Sequence, residues 1–322
     1  MNIPSKDSLY IGVDLGGTTL KVALVDIDGR ILTQERVPTE VRDVRRLIDQ
    51  LIGTIREVQR NEEGRGHIRG VGIGLPGLIN IKTNRVEVMP NLPDVSSYDL
   101  YSEVTKATGL PVIFDNDANV AAYGEFVCGA ARGRRDIFYV TIGTGVGAGI
   151  ILGGKIWRGS NGFAGEFGHM TIDPEGLECA CGNHGCLETK ASAPSIVRRT
   201  RTRLFRDSTS SLSKLGLRQG VLTSEDIADA AAEGDELAQL ILERTGMFLG
   251  IALAGVINLL NVEMVVLGGG VMAAGDLILK PTVEETRKRA FGPSFRNCQF
   301  AIAALGPNAG MIGAAMLARD SV

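Results

Sequence analysis

Glu166, His169, Cys179, Cys181, Cys186 and Glu188 share one glycine-rich stretch, residues 163–188, FAGEFGHMTIDPEGLECACGNHGCLE. Three thiols within eight positions suit a soft tetrahedral cation such as zinc, and the Cys-x-Cys-Gly-x-x-Gly-Cys turn can aim them at one point. A fourth ligand is needed. His169 and His184 are the candidates, since the only other histidine, His67, lies far upstream in a polar segment.

Two further stretches have the composition of phosphate sites. Residues 9–25, LYIGVDLGGTTLKVALV, read as strand, turn and strand around Asp14, Gly16, Gly17, Thr18 and Thr19. Glycines let backbone N–H groups close on a phosphate, threonine hydroxyls add donors, and an acidic residue can face a magnesium ion. An ordinary β-hairpin satisfies the same pattern. Residues 136–152, DIFYVTIGTGVGAGIIL, repeat the theme with Gly143, Thr144 and Gly145, about 130 residues on, which predicts a duplicated lobe. Between them, DNDANVAA (residues 115–122) sets polar groups where a buried strand meets a helix. Open α/β sheets bind ligands at such junctions, although an acidic residue there can also simply cap the helix.

The elements that must carry these groups follow from periodicity. Apolar residues at helical spacing predict a long amphipathic helix over 41–60. Residues 68–75 read as a strand ending at Pro76-Gly77, so Gly72-x-Gly74-x-x-Gly77 opens no helix and is not a dinucleotide fingerprint. Pro90 and Pro93 bracket a loop from which Asn91 can reach a ligand. A short helix over 98–108, closed by Gly109, and a strand over 111–114 lead into the DNDAN junction. Residues 149–155 nearly spell a P-loop, but Ile156 stands where a magnesium-binding hydroxyl belongs and no helix follows. Helices run to Arg206, where Arg198, Arg199, Arg201, Arg203 and Arg206 are expected to form a solvated face. A polar span to Leu222, a helix capped at Thr223 or Ser224, and a strand over 263–267 ending in Gly268-Gly269-Gly270 come next. Residues 305–318 form a helix of small side chains able to lie against another backbone.

Length and charge narrow the classes. A chain of 322 residues holds two lobes of ordinary size. Net charge is −3 with a pI near 5.8 and no basic stripe, so there is no electrostatic footprint for nucleic acid. Five cysteines, three of them clustered, predict a reducing compartment and a metal in place of a disulfide framework; Cys128 and Cys298 read as small buried residues. The N-terminus carries no signal pattern, which predicts a cytoplasmic protein. Residues 245–262 are uncharged, but their glycines and asparagines predict a buried core helix rather than a membrane span.

GEFGHM followed by CACGNHGCLE resembles the zinc-bearing signature of the ROK sugar kinases, and the resemblance runs from about Tyr10 to the C-terminus. It implies an α/β, two-lobed actin-like ATPase (ribonuclease H-like) fold with a ligand cleft between the lobes. An N-terminal lobe of residues 1–116 would be completed by the helix 306–322, and residues 117–305 would form the other lobe. The implied ligands of a structural zinc are His169, Cys179, Cys181 and Cys186, leaving His184 in the loop. Sugar hydroxyls would meet Gly77, Asn91, Asn116, Asp117, Glu166, His169 and Glu188, with Asp117 as catalytic base and His169 joining metal to sugar. ATP and Mg2+ would be held by Asp14, Gly16, Gly17, Thr18, Thr19 and Lys21, by Gly143, Thr144 and Gly145, and by Gly269 and Gly270 under the adenosine. Two departures stand out: Asp94-Val95-Ser96-Ser97 replaces the usual run toward glycine and tryptophan, and Asn308 stands where relatives often carry an acid.

The expected activity is phosphorylation of a hexose by ATP, glucose at its 6-hydroxyl, with an N-acetylmannosamine or N-acetylglucosamine kinase as the alternative. Repressors of the same family place a helix-turn-helix before the first hairpin, where this sequence has about ten residues, so a repressor is not expected. A zinc-stabilised binding protein without catalysis fits poorly with Asp117 and both glycine hairpins. The resemblance also implies a homodimer or a dimer of dimers.

Overall fold

The structure is a computed structural model that describes residues 7–60, 67–90, 92–206, 209–213 and 222–322. The chain divides into two compact units, one of Met1–Arg135, Gly149–Gly165 and Ala304–Val322, the other of Asp136–Ala148 and Glu166–Ala303.

The first unit is built on a five-stranded sheet. Strands β1 (Ser8–Leu15), β2 (Thr19–Asp26) and β3 (Ile31–Pro38) form an antiparallel meander, and β4 (His67–Leu75) and β7 (Val112–Asn116) add in parallel, giving the order β3-β2-β1-β4-β7. A small hairpin of β5 (Leu78–Asn80) and β6 (Arg85–Val88) lies between them in sequence. Alternation along β1 sends Ile11, Val13 and Leu15 to one face, where Leu47, Ile48, Leu51 and Ile55 of helix α1 (Val44–Arg60) cover them. Helix α2 (Leu100–Thr108) is capped by Asp99 and stopped by Gly109 in the left-handed region. Helix α3 (Asp117–Val127) begins directly where β7 ends.

The second unit repeats this plan. Strands β8 (Ile137–Ile142), β9 (Val146–Leu152), β11 (Met264–Gly268) and β12 (Gln299–Ile302) have the order β9-β8-β11-β12, matching β2-β1-β4-β7. Strand β9 leaves this unit after Ala148 and its remaining residues pair with β10 (Lys155–Ile156), so the near P-loop is a hairpin. The predicted duplication is therefore present in the strand order. Helices α4 (Glu188–Ala191), α5 (Ala193–Leu204), α6 (Ser224–Ala232), α7 (Glu236–Leu260), α8 (Asp276–Arg289) and α9 (Gly292–Arg296) complete it. Of the polar span after Arg206, residues 207–208 and 214–221 lie outside the described residues. Helix α7 is long and apolar enough to cross a membrane, yet 61% of its most apolar window is buried. Its Gly246 and Gly250 lie against α8: a Cβ would stand 2.6 Å from the Ile278 carbonyl and 2.7 Å from that of Thr282.

The chain then returns to the first unit with α10 (Ala309–Ser321), which covers the second face of that sheet through Met311, Ala315 and Met316 against Tyr10, Ala23 and Val25. The contact is backbone to backbone. A Cβ on Gly12 would stand 1.9 Å from Met311 O, and one on Gly72 1.9 Å from Ala314 O, so these strand glycines are where the helix sits. The return itself is fixed by Glu125 of α3, fully buried, whose carboxylate accepts from the N–H groups of Ala130, Ala304 and Leu305 at 2.7–3.0 Å.

Candidate active site and metal centre

The cysteine turn closes because Gly185 adopts a positive φ and packs on the Asp173 carbonyl, where a Cβ would stand 1.6 Å away. That folding gathers His169, Cys179, Cys181 and Cys186, whose ligand atoms all lie within 4.8 Å of one another. Cys181 Sγ is 3.7 Å from Cys186 Sγ, and His169 Nδ1 is 3.6 Å from Cys179 Sγ. A tetrahedral zinc with bonds of about 2.3 Å to sulfur and about 2.05 Å to nitrogen has edges of about 3.8 and 3.6 Å, so the donor set fits that ion. Asn183 donates to Cys186 Sγ at 3.4 Å, the kind of outer bond that orients a metal-bound sulfur. The thiols titrate apart: the Asn183 backbone N–H draws Cys181 below the usual thiol range, and burial with two neighbouring thiols pushes Cys186 up to about 12. His184 stands outside the cluster, exposed, its backbone bridging Glu178. The open choice of fourth ligand thus falls to His169.

His169 ends a 3-10 turn, Phe167–His169, and its second ring nitrogen, Nε2, lies 3.8 Å from Glu166 Oε2. One nitrogen therefore faces the thiols and the other a carboxylate. Partial burial raises the Glu166 carboxyl above its ordinary value, His169 pulls it back, and the charge of nearby Glu188 pushes it up. Glu166, His169 and Glu188 thus form one group that can accept and donate hydrogen bonds to hydroxyls.

Glu188 opens α4, and its Oε2 accepts from Val146 N at 2.9 Å. Val146 directly follows Gly143, Thr144 and Gly145, and Thr144 at the tip is exposed. The Gly143 carbonyl accepts from Ala193 N, at the start of α5, at 2.8 Å. Beneath the hairpin, Gly269 has a φ of +87° and backs onto Ile142, where a Cβ would stand 2.3 Å from the carbonyl oxygen. Gly143, Gly145 and Gly269 are accordingly brought together with the metal segment, with Thr144 and Gly270 beside them in sequence.

In the basic run after this segment Arg203 and Arg206 are exposed as expected, and the expectation of a solvated face is corrected at Arg198 and Arg199. Arg198 donates to the Thr189 carbonyl and Arg199 to that of Lys190, capping α4 from outside, while Ser195 Oγ donates to the Glu188 carbonyl at 2.9 Å. Arg199 also donates to Ile241 O at 2.6 Å and lies over the Phe248 ring, and burial with the nearby Arg198 and Arg244 charges lowers its pKa to about 10. Four free carbonyls at a helix end need donors, and these side chains supply them where a propensity reading sees only charge.

In the first unit, Asn116 ends β7 and caps α3, its Oδ1 accepting from Ala118 N and Asn119 N at 2.9 and 3.3 Å. Its Nδ2 donates to the Gly77 carbonyl at 3.0 Å, which joins two predicted sugar residues. Asp117 follows as the first residue of α3, and its Oδ1 accepts from Ala118 N at 2.8 Å. Behind them sits Asp115, 3% exposed, which accepts from Asn116 N and Asn119 Nδ2 through Oδ1 and from Arg158 through Oδ2 at 2.6–2.7 Å. The sequence reading assigned Asp115 and Arg158 no role; their pairing across 43 positions leaves no local signal. Asn91 lies outside the described residues.

The first hairpin carries exposed Gly17 and Thr18 at its tip. Gly16 N donates to Thr19 O at 3.0 Å, and Thr39 ties both ends, its Oγ1 to Gly16 O at 2.7 Å and its N to Thr18 O at 3.0 Å. Asp14 and Lys21 face each other across β1 and β2 as an ion pair at 2.8 Å, and Lys21 Nζ reaches Pro307 O at 3.2 Å. Asn308 accepts from Arg36 at 2.8 Å.

The model of the ROK family matches residues 10–321. The chain belongs to the ROK family. It is 38% identical to a glucokinase of Halalkalibacterium halodurans over 98% of this chain and 96% of that one. A crystal structure of a ROK family glucokinase from Streptomyces griseus in complex with glucose and AMPPNP superposes with a TM-score of 0.84 at 36% identity, covering 97% and 99% of the two chains. A xylose repressor of Bacillus subtilis is 30% identical over 98% of this chain and 78% of its own. The fold is accordingly the two-lobed actin-like ATPase fold of the ROK sugar kinases.

Proposed function

We propose that this protein is an ATP-dependent glucokinase that phosphorylates glucose at its 6-hydroxyl. The observation that carries the reading is the joining, within one unit, of the hydroxyl-binding group Glu166, His169 and Glu188 to a phosphate-type glycine hairpin through Glu188 and Val146. The glucokinases at 36–38% identity over nearly the full chain favour glucose over an acetamido sugar.

Asp117 would accept the hydroxyl proton as the oxygen attacks the γ-phosphorus. A carboxylate is a weak base toward an alcohol, so the proton moves late and alignment supplies much of the gain. The Asn116 cap and the Arg158–Asp115 pair hold Asp117 where the helix starts. Phosphates would rest on Gly16, Gly17, Thr18 and Thr19 and on Gly143, Thr144 and Gly145, with Asp14 and Lys21 behind the first hairpin and Gly269 and Gly270 under the adenosine. Mg2+ would neutralise phosphate charge as it moves to the leaving oxygen. Zinc on His169, Cys179, Cys181 and Cys186 would be structural, fixing His169 and Glu188. Sugar hydroxyls would be read by Gly77, Asn91, Asn116, Glu166, His169 and Glu188, where each unpaired partner in a closed site costs about 1–3 kcal/mol. We also place the protein in the cytoplasm as a homo-oligomer, in keeping with its cysteines clustered at metal-ligand spacing and its resemblance.

The test is phosphotransfer from Mg-ATP by zinc-loaded protein to glucose, mannose, fructose, N-acetylglucosamine and N-acetylmannosamine. A glucose kcat/KM at least about a hundredfold above the acetamido sugars, about 2.7 kcal/mol of transition-state discrimination, is expected. The reverse ratio would move the assignment to an N-acetylhexosamine kinase.

A further inference from the structure

Three contacts onto residues 143–146 come from residues 168–193, which span the metal cluster and the turn just after it. Ala193 N donates to the Gly143 carbonyl at 2.8 Å. Gly168, next to His169, packs on the Val146 carbonyl, where a Cβ would stand 2.1 Å away. Glu188, two residues after Cys186, accepts from Val146 N at 2.9 Å through Oε2. The third contact is held in place from the hairpin side too: a Cβ on Gly145 would stand 2.6 Å from that same Oε2.

We infer that Glu188 is a positioning residue that couples the two substrates, one carboxylate serving both. Its Oε2 fixes the start of β9 and thereby the hairpin beneath the phosphates, while Oε1 remains for a sugar hydroxyl. A hydroxyl donated to Oε1 holds the carboxylate in the rotamer that Val146 N–H requires, and an ordered hairpin returns the favour to the sugar. The affinities for sugar and nucleotide are then linked, and by equal factors in both directions. The consequence for the reaction is that the γ-phosphate is gripped in its productive place when the acceptor is present, which disfavours transfer to water. The inference rests on the kinase reading above.

Calorimetric titration of zinc-loaded full-length protein tests it, with glucose and Mg-AMPPNP as probes, each alone and in the presence of the other. In the wild type, each probe is expected to tighten the other about fivefold or more, and by the same factor. Glu188→Ala is expected to weaken AMPPNP about tenfold with no sugar present, the scale of losing one charge-assisted hydrogen bond. Gly145→Ala, a change inside the nucleotide hairpin, is expected to weaken glucose about tenfold with no nucleotide present, because its Cβ displaces the carboxylate. Glu188→Gln keeps an acceptor for Val146 N–H and is expected to hold AMPPNP within about threefold of wild type. Zinc content and melting temperature establish that each variant is folded. The inference is overturned if Glu188→Ala changes glucose only and Gly145→Ala changes AMPPNP only, or if the wild type binds both probes without coupling. Wild-type protein that bound neither probe would instead fail the kinase reading itself.

Discussion

The two glycine hairpins have the same strand order around them and different means of support. The first is held by its own strands and the end of the chain: Asp14 pairs with Lys21 at 2.8 Å, Lys21 reaches Pro307 O, and Thr39 ties both ends. The second is held by the segment of the Cys/His cluster, through Gly168 and Glu188, and by Ala193 just after it. A duplicated scaffold has thus been put to two uses. One copy gives a hairpin held by its own strands and the chain's end, and the other ties its hairpin to Glu188 beside the Cys/His cluster.

That difference is breakable. The largest effect on glucose affinity is expected from the metal. Stripping zinc, or Cys181→Ser, releases His169 and Glu188 together, and two hydrogen bonds of about 1–3 kcal/mol each amount to about a hundredfold or more in glucose affinity. Titration should show this loss while circular dichroism still reports a folded chain; equal glucose binding by stripped and loaded protein would contradict it. Next comes the junction that carries Asp117. Arg158→Ala leaves Asp115 buried without its cation, a change worth about 3–5 kcal/mol of stability in comparable pairs. The expected signature in steady-state kinetics is a fall in kcat larger than the change in glucose KM, partly recovered by Arg158→Lys.

Lys21→Met probes the first hairpin. It should weaken Mg-AMPPNP about tenfold by leaving Asp14 unpaired, yet leave glucose affinity measured without nucleotide unchanged, in contrast to the second hairpin. A parallel loss of glucose binding would erase the distinction. The last effect is on stability alone: Gly72→Ala drives a Cβ into the Ala314 carbonyl, so α10 must shift, at about 1–3 kcal/mol of stability read as a lower melting temperature in calorimetry.

How much of this was legible before the fold was known depends on the distance a signal has to travel along the chain. The hairpins, helix α1, and helix α2 with its stop at Gly109 are written in local pattern, and the structure has them within a few residues. The thiols of the metal cluster are local as well, and only the choice between His169 and His184 needed the turn's geometry or the family resemblance. What stayed hidden is long-range: Arg158 on Asp115, Glu125 on the returning chain at Ala304 and Leu305, and the strand glycines beneath α10. The contacts of Arg198 and Arg199 are hidden for another reason. Their composition fits a wet helix face, and nothing in the residues nearby tells that Thr189 and Lys190 present bare carbonyls to them.

The proposed mechanism turns on Asp117, at the start of α3, taking the proton from a glucose hydroxyl. The most direct measurement is glucose 6-phosphate formation from Mg-ATP by zinc-loaded wild type and Asp117→Asn, followed by mass spectrometry, with glucose affinity measured alongside. Asp117→Asn is expected to lose about a thousandfold or more in kcat, within the range of removing a general base, while still binding glucose. A variant that kept most of its activity would contradict it.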